Sequence, residues 1–186
     1  MSDEQPRPAV FLDRDGTLIE ERGYPACEED ILPLPGVGLA LQRLGEAGFL
    51  RIVLTNQSGV ARGLYTEEDL GRLHADMARK LAAQGGAIDA IYYCPHHPEG
   101  SAVAYAFACA CRKPGSGLLD MALAEHAIDL PRSVFIGDGV RDLYPEAGPV
   151  RARILLRSGH PLPADAQADH IAKDLGQAVE WLLARP

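Results

Sequence analysis

The sequence of 186 residues lacks any run of 18 apolar residues, so no segment has the length and hydropathy of a membrane-spanning helix. It also lacks a basic segment followed by an apolar one near residue 1, and we therefore expect a cytoplasmic protein that is not exported. Basic residues are in the minority, with 18 Lys and Arg against 26 Asp and Glu, and the net charge is −8. That charge argues against a nucleic acid partner. No apolar stripe indicates an interface between copies, and we expect a monomer.

Cysteine is scarce, and its few copies are unevenly placed. Only four occur in the chain, and a chain of this length can bury a core that needs no disulfide staples. Three of them lie close together in the sequence, namely Cys94, Cys109 and Cys111, whereas Cys27 stands alone and is expected to be a free thiol. In a protein that is not exported, such a cluster indicates metal ligation.

A histidine completes the cysteine cluster. Cys94-Pro95-His96 and Cys109-Ala110-Cys111 offer three thiolates and one imidazole, the ligand set of many structural zinc sites. His97 could take the place of His96, and free thiols beside a chance histidine are the non-metal alternative. Because four protein ligands leave no open position, we expect a structural Zn²⁺ in a zinc-binding loop over residues 94–111 (the cysteine loop). The remaining histidines are expected on helices or at the surface, namely His74, His126, His160 and His170.

Apolar runs of strand length alternate with stretches of helical periodicity along the chain. We predict strands at 9–12, 50–54, 88–93, 133–136 and 153–156, and helices at 37–47, 66–84, 116–126, 142–146 and 174–184. This alternation predicts an α/β fold with a doubly wound, Rossmann-like parallel sheet, in a single domain over residues 1–186. The connections 16–36 and 94–112 are too short for a large cap domain, so we expect only loops or a small flap there.

Two carboxylates stand where the first predicted strand ends. Asp13-Arg14-Asp15-Gly16-Thr17 follows the apolar run 9–12 directly. One carboxylate could attack phosphorus while the other handles a proton, and together they could hold a divalent cation. Ordinary turns are also rich in Asp and Gly, so this motif alone leaves catalysis and a turn equally open.

Three further polar segments occur in the order that a phosphate site requires. The segment 55–59, Thr-Asn-Gln-Ser-Gly, offers hydroxyl, amide and backbone donors to a phosphate. Arg112 and Lys113 supply cations, and residues 137–142 supply carboxylates suited to Mg²⁺. Each segment also has a non-catalytic alternative. Residues 55–59 could be a polar loop, Arg112 and Lys113 a solvated surface pair, and residues 137–142 an Asp-Gly turn in which Asp142 caps a helix. Ligands of doubly wound sheets bind beyond the carboxyl ends of the strands. Because the carboxylate motifs and the segment 55–59 directly follow predicted strands, their positions favour a phosphatase site.

In these four motifs the chain resembles the haloacid dehalogenase-like phosphatase superfamily. The motifs are Asp13-x-Asp15-Gly16-Thr17, Thr55, Lys113 and Gly137-Asp138-x-x-x-Asp142. The resemblance implies an aspartyl-phosphate mechanism, with Asp13 as the nucleophile and Asp15 as the acid and base. The implied Mg²⁺ ligands are Asp13, the backbone carbonyl of Asp15 and Asp138, supported by Asp142. The implied contacts of the phosphoryl group are Thr55 and Lys113.

Longer strings narrow the resemblance to the D-glycero-D-manno-heptose 1,7-bisphosphate 7-phosphatases. These strings are residues 11–17, 55–63, 92–100 and 109–114, and the similarity extends over nearly the whole chain. The family implies removal of the 7-phosphate from a small phosphorylated sugar. The implied substrate-binding residues are Glu21, Arg22, Gly23, Tyr24, Thr55, Asn56, Gln57, Ser58, Arg112 and Lys113.

Two features depart from that family, and two alternative functions stay open. The family usually has a basic residue at the position of Gly139, for which Arg141 is a nearby substitute, and Pro145 interrupts the helix that its members begin here. Histidinol-phosphate phosphatase shares the motifs, but its cationic substrate has no second phosphate for Arg112 to grip. A zinc-stabilised binding module without activity is the other alternative. The sequence leaves open the anomer and the pathway, lipopolysaccharide or another heptose-containing glycan.

Overall fold

The structure is a computed structural model that describes residues 5–144, 146–157 and 167–185. Within these residues a parallel sheet of six strands has the order β3-β2-β1-β4-β5-β6. The strands are β1 (Ala9–Leu12), β2 (Leu50–Asn56), β3 (Ala90–Cys94), β4 (Val134–Gly137), β5 (Ala152–Leu156) and β6 (His170–Ala172). The α-helices are α1 (Val37–Glu46), α2 (Glu67–Ala82), α3 (Gly117–Glu125) and α4 (Leu175–Leu183). Short 3₁₀ helices cover Glu28–Asp30, Leu130–Arg132 and Val140–Leu143.

The local sequence explains where α2 begins and ends. Thr66 Oγ1 accepts from the Asp69 amide, and the Asp69 carboxylate accepts from the Thr66 amide in return, which forms a capping box. Acidic residues fill the first turn, and Arg79 and Lys80 lie in the last, so each end carries the charge that the helix dipole favours. The helix predicted at 66–84 is confirmed.

Alternate residues of the central strands are buried in two separate cores. On β1, Val10 and Leu12 face the core shared with α1, α2 and α4, whereas Ala9 and Phe11 face the core shared with α3. Side chains alternate along a strand, so each residue contributes to one face only. Phe11 stacks on Phe135 of β4 in the second core, with ring centroids 4.9 Å apart. Helices therefore cover both faces, and the doubly wound α/β fold is confirmed.

The strand order brings the candidate site to one edge of the sheet. β1 pairs with β2 on one side, Leu12 opposite Val53, and with β4 on the other, Leu12 opposite Ile136. The chain runs outward from β1 through β2 to β3 and then returns to β4, so the order reverses between β1 and β4. Ligands of doubly wound sheets bind at such a reversal. Asp13 and Asp138, which follow β1 and β4, meet there.

The structure differs from the sequence-based prediction at two places. The helix predicted at 142–146 is wrong, because a 3₁₀ helix ends at Leu143 and Tyr144 takes a left-handed conformation with φ of 44°. The helical conformation is unfavourable directly before a proline, which explains this early end. The Tyr144 ring instead stacks on Phe135, with centroids 5.1 Å apart. Strand β6 was not predicted, because its three residues are too few to form an apolar run.

As expected, no large cap domain covers the carboxyl edge of the sheet in the described part of the chain. The connection after β1 contains one 3₁₀ helix and isolated β-bridges at Ile19, and the connection after β3 is a loop. Between residues 5 and 185, in the described ranges, no helix is both long and apolar enough to cross a bilayer. His160 lies outside the described residues, so its placement stays a prediction, as does the single domain over 1–186.

Substitution of two leucines of α1 should change the stability of the protein by very different amounts. Leu41 is fully buried, whereas Leu39 on the same helix is 59 % exposed. Leu41→Ala should lower the free energy of unfolding by about 2–5 kcal/mol because it leaves a cavity, and Leu39→Ala by less than about 0.5 kcal/mol. Urea unfolding followed by circular dichroism measures both changes. Equal losses would contradict the packing of α1 described above.

Candidate active site

A buried lysine and a buried aspartate meet where β1 ends. Lys113 Nζ lies 2.8 Å from Asp13 Oδ1 and 2.6 Å from Asp142 Oδ1. It also donates to the Leu54 carbonyl oxygen at 2.5 Å. Burial by itself lowers the pKa of Lys113, but the charges of Asp13 and Asp142 outweigh burial and raise that pKa above its ordinary value. Lys113 is therefore a fixed cation in the site.

Asn56 holds the backbone of Lys113 in place. Its side-chain oxygen accepts from the Lys113 amide at 2.9 Å, and its side-chain nitrogen donates to the Lys113 carbonyl at 3.2 Å. Asn56 was predicted as a substrate contact, and it does line the cavity described below, but both ends of its amide are engaged with this loop. Its main contact therefore connects the end of β2 to the segment that delivers the lysine.

Three carboxylates converge beside this lysine. Oxygens of Asp13, Asp138 and Asp142 lie within 4.8 Å of one another. Burial, followed by the charges of Asp13 and Asp142, raises the pKa of Asp138 to about 6. Asp138 Oδ1 is buried without a hydrogen-bond partner among the described residues. Three carboxylates that repel one another, with an unpartnered oxygen on Asp138, fit a hard divalent cation such as Mg²⁺.

Backbone features hold these carboxylates in their arrangement. Asp142 Oδ2 accepts from the Gly139 amide at 2.8 Å, which caps the 3₁₀ helix, while Oδ1 faces Lys113. Asp142 thus has both a capping and a charge-pairing role. Gly16 has a φ of 72°, and a Cβ there would clash with the Asp138 carboxylate. Only glycine allows this approach of Asp138 to the first motif.

Asp15 is held by a network of charged and polar side chains. Arg14 donates to both of its oxygens, from Nε to Oδ2 at 3.0 Å and from Nη2 to Oδ1 at 2.9 Å. Gln57 Nε2 donates to Asp15 Oδ2 at 2.9 Å and to Thr55 Oγ1 at 2.8 Å. Tyr65 donates to the other end of the Gln57 amide at 3.0 Å. Arg14 and Tyr65 were not predicted as part of the site, since neither the motif nor the periodicity indicates that they are buried here.

A cavity of about 280 Å³ opens at this edge of the sheet. Its lining comprises Asp13, Asp15, Glu21, Gly23, Tyr24, Thr55, Asn56, Gln57, Ser58, Tyr65, Arg112, Lys113 and Arg141. The residues predicted to bind substrate are therefore brought together, with one exception. Arg22 is not part of the lining, because its guanidinium pairs with Glu20 at 3.0 Å on the exposed surface.

Two arginines bring positive charge to the cavity from two different loops. Arg112 precedes Lys113 and donates to the His96 carbonyl at 3.4 Å. Arg141 belongs to the 3₁₀ helix after β4, and its Cζ lies 3.5 Å from the point where a Cβ at Gly139 would stand. Arg141 thus occupies the space beside Gly139. A cation reaches the cavity from this loop although residue 139 has no side chain.

The clustered cysteines and one histidine also come together. Cys109 Sγ lies 3.4 Å from Cys94 Sγ and 3.1 Å from Cys111 Sγ. His96 Nδ1 lies 3.4 Å from Cys111 Sγ. The four ligand atoms are all within 4.8 Å of one another, a set that fits tetrahedral Zn²⁺. Of the two candidate histidines, the fold places His96 in this set, whereas His97 lies outside it and its Nδ1 accepts a backbone amide hydrogen at 3.1 Å.

The isolated cysteine and the other described histidines belong to neither ligand group. Cys27 is an exposed free thiol, as predicted. His126 caps the end of α3 and His170 lies on β6, each packed against an aromatic ring. His74 lies on a helix, as predicted, but its side chain on α2 is buried.

This geometry defines a haloacid dehalogenase-like phosphatase, which is a phosphoric monoester hydrolase, and solved structures share its fold. The crystal structure of D,D-heptose 1,7-bisphosphate phosphatase from B. bronchiseptica, complexed with magnesium and phosphate, has 32 % identity and a TM-score of 0.79 over 96 % of this chain and 99 % of that one. A HAD-like phosphatase from Mesorhizobium loti has 29 % identity and a TM-score of 0.84 over 97 % of this chain and 86 % of that one.

Relatives of nearly the same length narrow this class to one family. The D-glycero-beta-D-manno-heptose-1,7-bisphosphate 7-phosphatase of Yersinia pestis is 39 % identical over 177 residues, covering 95 % of this chain and 89 % of the relative. The D-glycero-D-manno-heptose-1,7-bisphosphate 7-phosphatase of Thermosynechococcus vestitus is 42 % identical over 188 residues, covering 95 % and 96 %. No protein-family model matches the chain. The chain belongs to the D-glycero-D-manno-heptose-1,7-bisphosphate 7-phosphatase family.

Repulsion among the three carboxylates predicts a metal-dependent stability. Without Mg²⁺, Asp138→Asn should raise the melting temperature by roughly 2–4 °C, because it removes one of three neighbouring negative charges. With Mg²⁺ the wild-type protein should gain stability and the variant little, since a ligand stabilises the folded state that binds it. Differential scanning fluorimetry with EDTA or excess Mg²⁺ measures both effects. A variant that responds to Mg²⁺ as strongly as wild type would contradict this role of Asp138.

Bound zinc should depend on the cysteine loop and not on the isolated cysteine. Cys109→Ser should contain much less zinc than wild type and should lose activity through a displaced Lys113, whereas Cys27→Ser should keep both. Elemental analysis of the two purified variants, with phosphate-release assays on the same samples, measures the difference. Equal zinc contents would refute the assignment of Cys109 as a ligand.

Proposed function

We propose that this protein removes the 7-phosphate of D-glycero-D-manno-heptose 1,7-bisphosphate through an aspartyl-phosphate on Asp13. The observation that carries the proposal is the buried Asp13 carboxylate, 5 % exposed, in a cavity that also contains Lys113, Arg112 and Arg141. An anionic nucleophile set among cations suits attack on an anionic phosphate. The relatives that bear the name of this activity align with nearly the whole chain.

In the first half-reaction an Asp13 oxygen attacks phosphorus, and the bond from phosphorus to the sugar oxygen breaks. Asp15 lines the same cavity, and its carboxyl group gives a proton to the departing oxygen. Lys113 offsets the charge on the phosphoryl oxygens. Thr55 Oγ1 accepts from Gln57, so its own hydrogen can be donated to one of those oxygens. In a buried site such charges act more strongly than in water.

In the second half-reaction a water molecule attacks the phosphorus bound to Asp13. Asp15, now a carboxylate, takes the proton from that water, and the bond from phosphorus to the Asp13 oxygen breaks. Inorganic phosphate leaves and the Asp13 carboxylate is restored. Because Arg14 and Gln57 hold Asp15 in one place, the same group can serve both half-reactions.

We infer that Mg²⁺ is held by the carboxylates of Asp13 and Asp138 and the backbone carbonyl of Asp15, with Asp142 in support. The buried, unpartnered Asp138 Oδ1 and the convergence of three carboxylates support this assignment. Bound there, the cation reduces the repulsion between an anionic nucleophile and an anionic phosphate.

Zn²⁺ is assigned to the four ligands of the cysteine loop, namely Cys94, His96, Cys109 and Cys111. Four protein ligands would leave such an ion no open position for a substrate, so its role would be structural. Cys111 stands two residues before Lys113, and Arg112 lies between them. A metal held by these ligands would therefore fix the segment that presents both cations to the cavity.

The cations of the cavity favour a bisphosphate over histidinol phosphate. Lys113 is engaged with Asp13, which leaves Arg112 and Arg141 for the second, non-reacting phosphate. A guanidinium presents paired donors that match phosphate oxygens, and a grip at the remote end orients the reacting end. The cationic amine of histidinol phosphate would instead be repelled by these arginines.

We also infer a monomer that acts in the cytoplasm on a small phosphorylated sugar. The net charge of −8 supports a small-molecule substrate over a nucleic acid. A sugar bisphosphate carries several charges and does not cross a bilayer unaided, so it is met in the compartment where it is made. Size-exclusion chromatography with light scattering measures the oligomeric state.

Removal of the nucleophile should abolish turnover and leave the fold intact. Asp13→Asn should release phosphate from the heptose bisphosphate at least about a thousand-fold more slowly than wild type, because the amide cannot form the phosphoenzyme. Asp76→Asn, at the surface of α2, is the matched control and should keep wild-type activity. Phosphate release and thermal melting are measured on both variants. Near-wild-type release by Asp13→Asn would refute the mechanism.

The same assay decides the substrate. Wild-type protein should release one phosphate from either anomer of the heptose bisphosphate more efficiently than from histidinol phosphate. A preference for histidinol phosphate would overturn the substrate proposal while leaving the phosphatase class in place. A complete lack of Mg²⁺-dependent hydrolysis would favour a binding module without activity.

A further inference from the structure

Arg14 is buried beside the active site, and its guanidinium has contacts on two sides. Its side chain is 1 % exposed, although it stands between the two aspartates of the first motif. Nε and Nη2 donate to the two oxygens of Asp15. The remaining nitrogen, Nη1, lies 3.4 Å from His74 Nε2. The guanidinium is therefore held between Asp15 in the cavity and His74 on α2.

His74 can only be the acceptor in this contact. A guanidinium has donors and no acceptor, so the Nε2 atom that faces it must be unprotonated. Burial, followed by the charge of Arg14, lowers the pKa of His74 to about 3, which keeps the imidazole neutral at physiological pH. The ring also packs beside Tyr93 of β3, with centroids 5.5 Å apart. Packing and charge together fix both the position and the protonation of the ring.

This acceptor affects Asp15 because the guanidinium is shared between them. A planar guanidinium keeps a carboxylate in one orientation only if the guanidinium itself is held in place. Among the described residues, His74 is the side chain that holds the far side of Arg14. Without it, Nη1 would be a buried donor with no partner, and the guanidinium would shift to find one. Asp15 would move with it.

We propose that His74 is a positioning residue for the proton transfers of Asp15 and that it acts through Arg14. It touches neither the substrate nor the reacting atoms. The neutral imidazole orients the guanidinium, and the guanidinium orients the carboxylate in the cavity. The inference rests on the proposed role of Asp15 as acid and base, which the same experiment tests separately.

Leaving groups of different basicity separate positioning of the acid from general damage to the fold. A sugar phosphate releases a basic alkoxide that needs a proton from Asp15, whereas p-nitrophenyl phosphate releases a weakly basic phenolate that needs little help. The ratio kcat/KM reports on the first half-reaction, in which this proton is given. A misplaced acid should therefore reduce kcat/KM for the sugar phosphate alone. A distorted fold would reduce both values together.

The test variants are His74→Phe, which keeps a ring without the acceptor, and His74→Gln, which restores an acceptor. His74→Phe should reduce kcat/KM for the heptose bisphosphate about ten-fold and that for p-nitrophenyl phosphate less than about two-fold. His74→Gln should recover most of the loss. His126→Leu, at the end of α3, is the matched control and should change neither value. If His74→Phe does not fold, His74→Leu replaces it; if no variant without an acceptor folds, His74 is purely structural and the inference fails.

Asp15→Asn in the same assays distinguishes the two proposals. It should lose at least about a hundred-fold with the sugar phosphate and much less with p-nitrophenyl phosphate. If Asp15→Asn discriminates between the esters and His74→Phe does not, Asp15 keeps its role and the inference about His74 is wrong. If Asp15→Asn reduces both equally, the proposed acid role fails and the inference fails with it. Absence of recovery by His74→Gln also overturns it.

Discussion

The attraction of Lys113 for the Asp13 and Asp142 carboxylates is the interaction on which the site depends. A buried ammonium loses several kcal/mol of hydration, and only close opposite charges compensate for that loss. The two carboxylates follow β1 and β4, and the lysine follows the cysteine loop, so the ion pairs connect three segments at one edge of the sheet. Even with Arg141, whose Nε lies 3.8 Å from Asp142 Oδ1, two cations do not balance three carboxylates. The remaining negative charge makes the site receptive to a divalent metal.

The lysine lies on a segment without regular secondary structure, so its position needs restraints beyond the ion pairs. Asn56 pairs with both backbone polar groups of Lys113 from the end of β2. Cys111 precedes Lys113 by two residues, and its Sγ lies 3.2 Å from the Sγ of Cys94 at the end of β3. Cys109 Sγ lies 3.4 Å from the same sulfur, so the cluster connects this segment to β3. The position of Lys113 and the order of the loop therefore depend on the same contacts, because a change that loosens the loop also moves Lys113 away from Asp13 and Asp142.

The parts of the fold that could be predicted from the sequence are those with a local signal. The helix α2 has a capping box and an apolar face, and β1 is a buried apolar run, so both were placed correctly. Strand β6 depends on pairing with β5, since Ile154 opposite His170 gives a three-residue segment its place in the sheet. The 3₁₀ helix that ends at Leu143 is likewise stabilised by a non-local contact, the stacking of Tyr144 on Phe135.

The sequence by itself determined which polar residues gather at the site, because Asp13, Thr55 and Asp138 lie at the carboxyl ends of strands that share one edge of a parallel sheet. It also predicted that the three clustered cysteines and a histidine come together as a group that could hold a metal ion. Only the tertiary structure placed His96, and not His97, beside the three cysteines, turned Arg22 towards Glu20, and buried Arg14 against a histidine 60 residues away. Those outcomes depend on which charges and hydrogen-bonding atoms distant segments bring together after folding. Periodicity and motifs describe neighbours along the chain, so they do not show which distant residues come into contact.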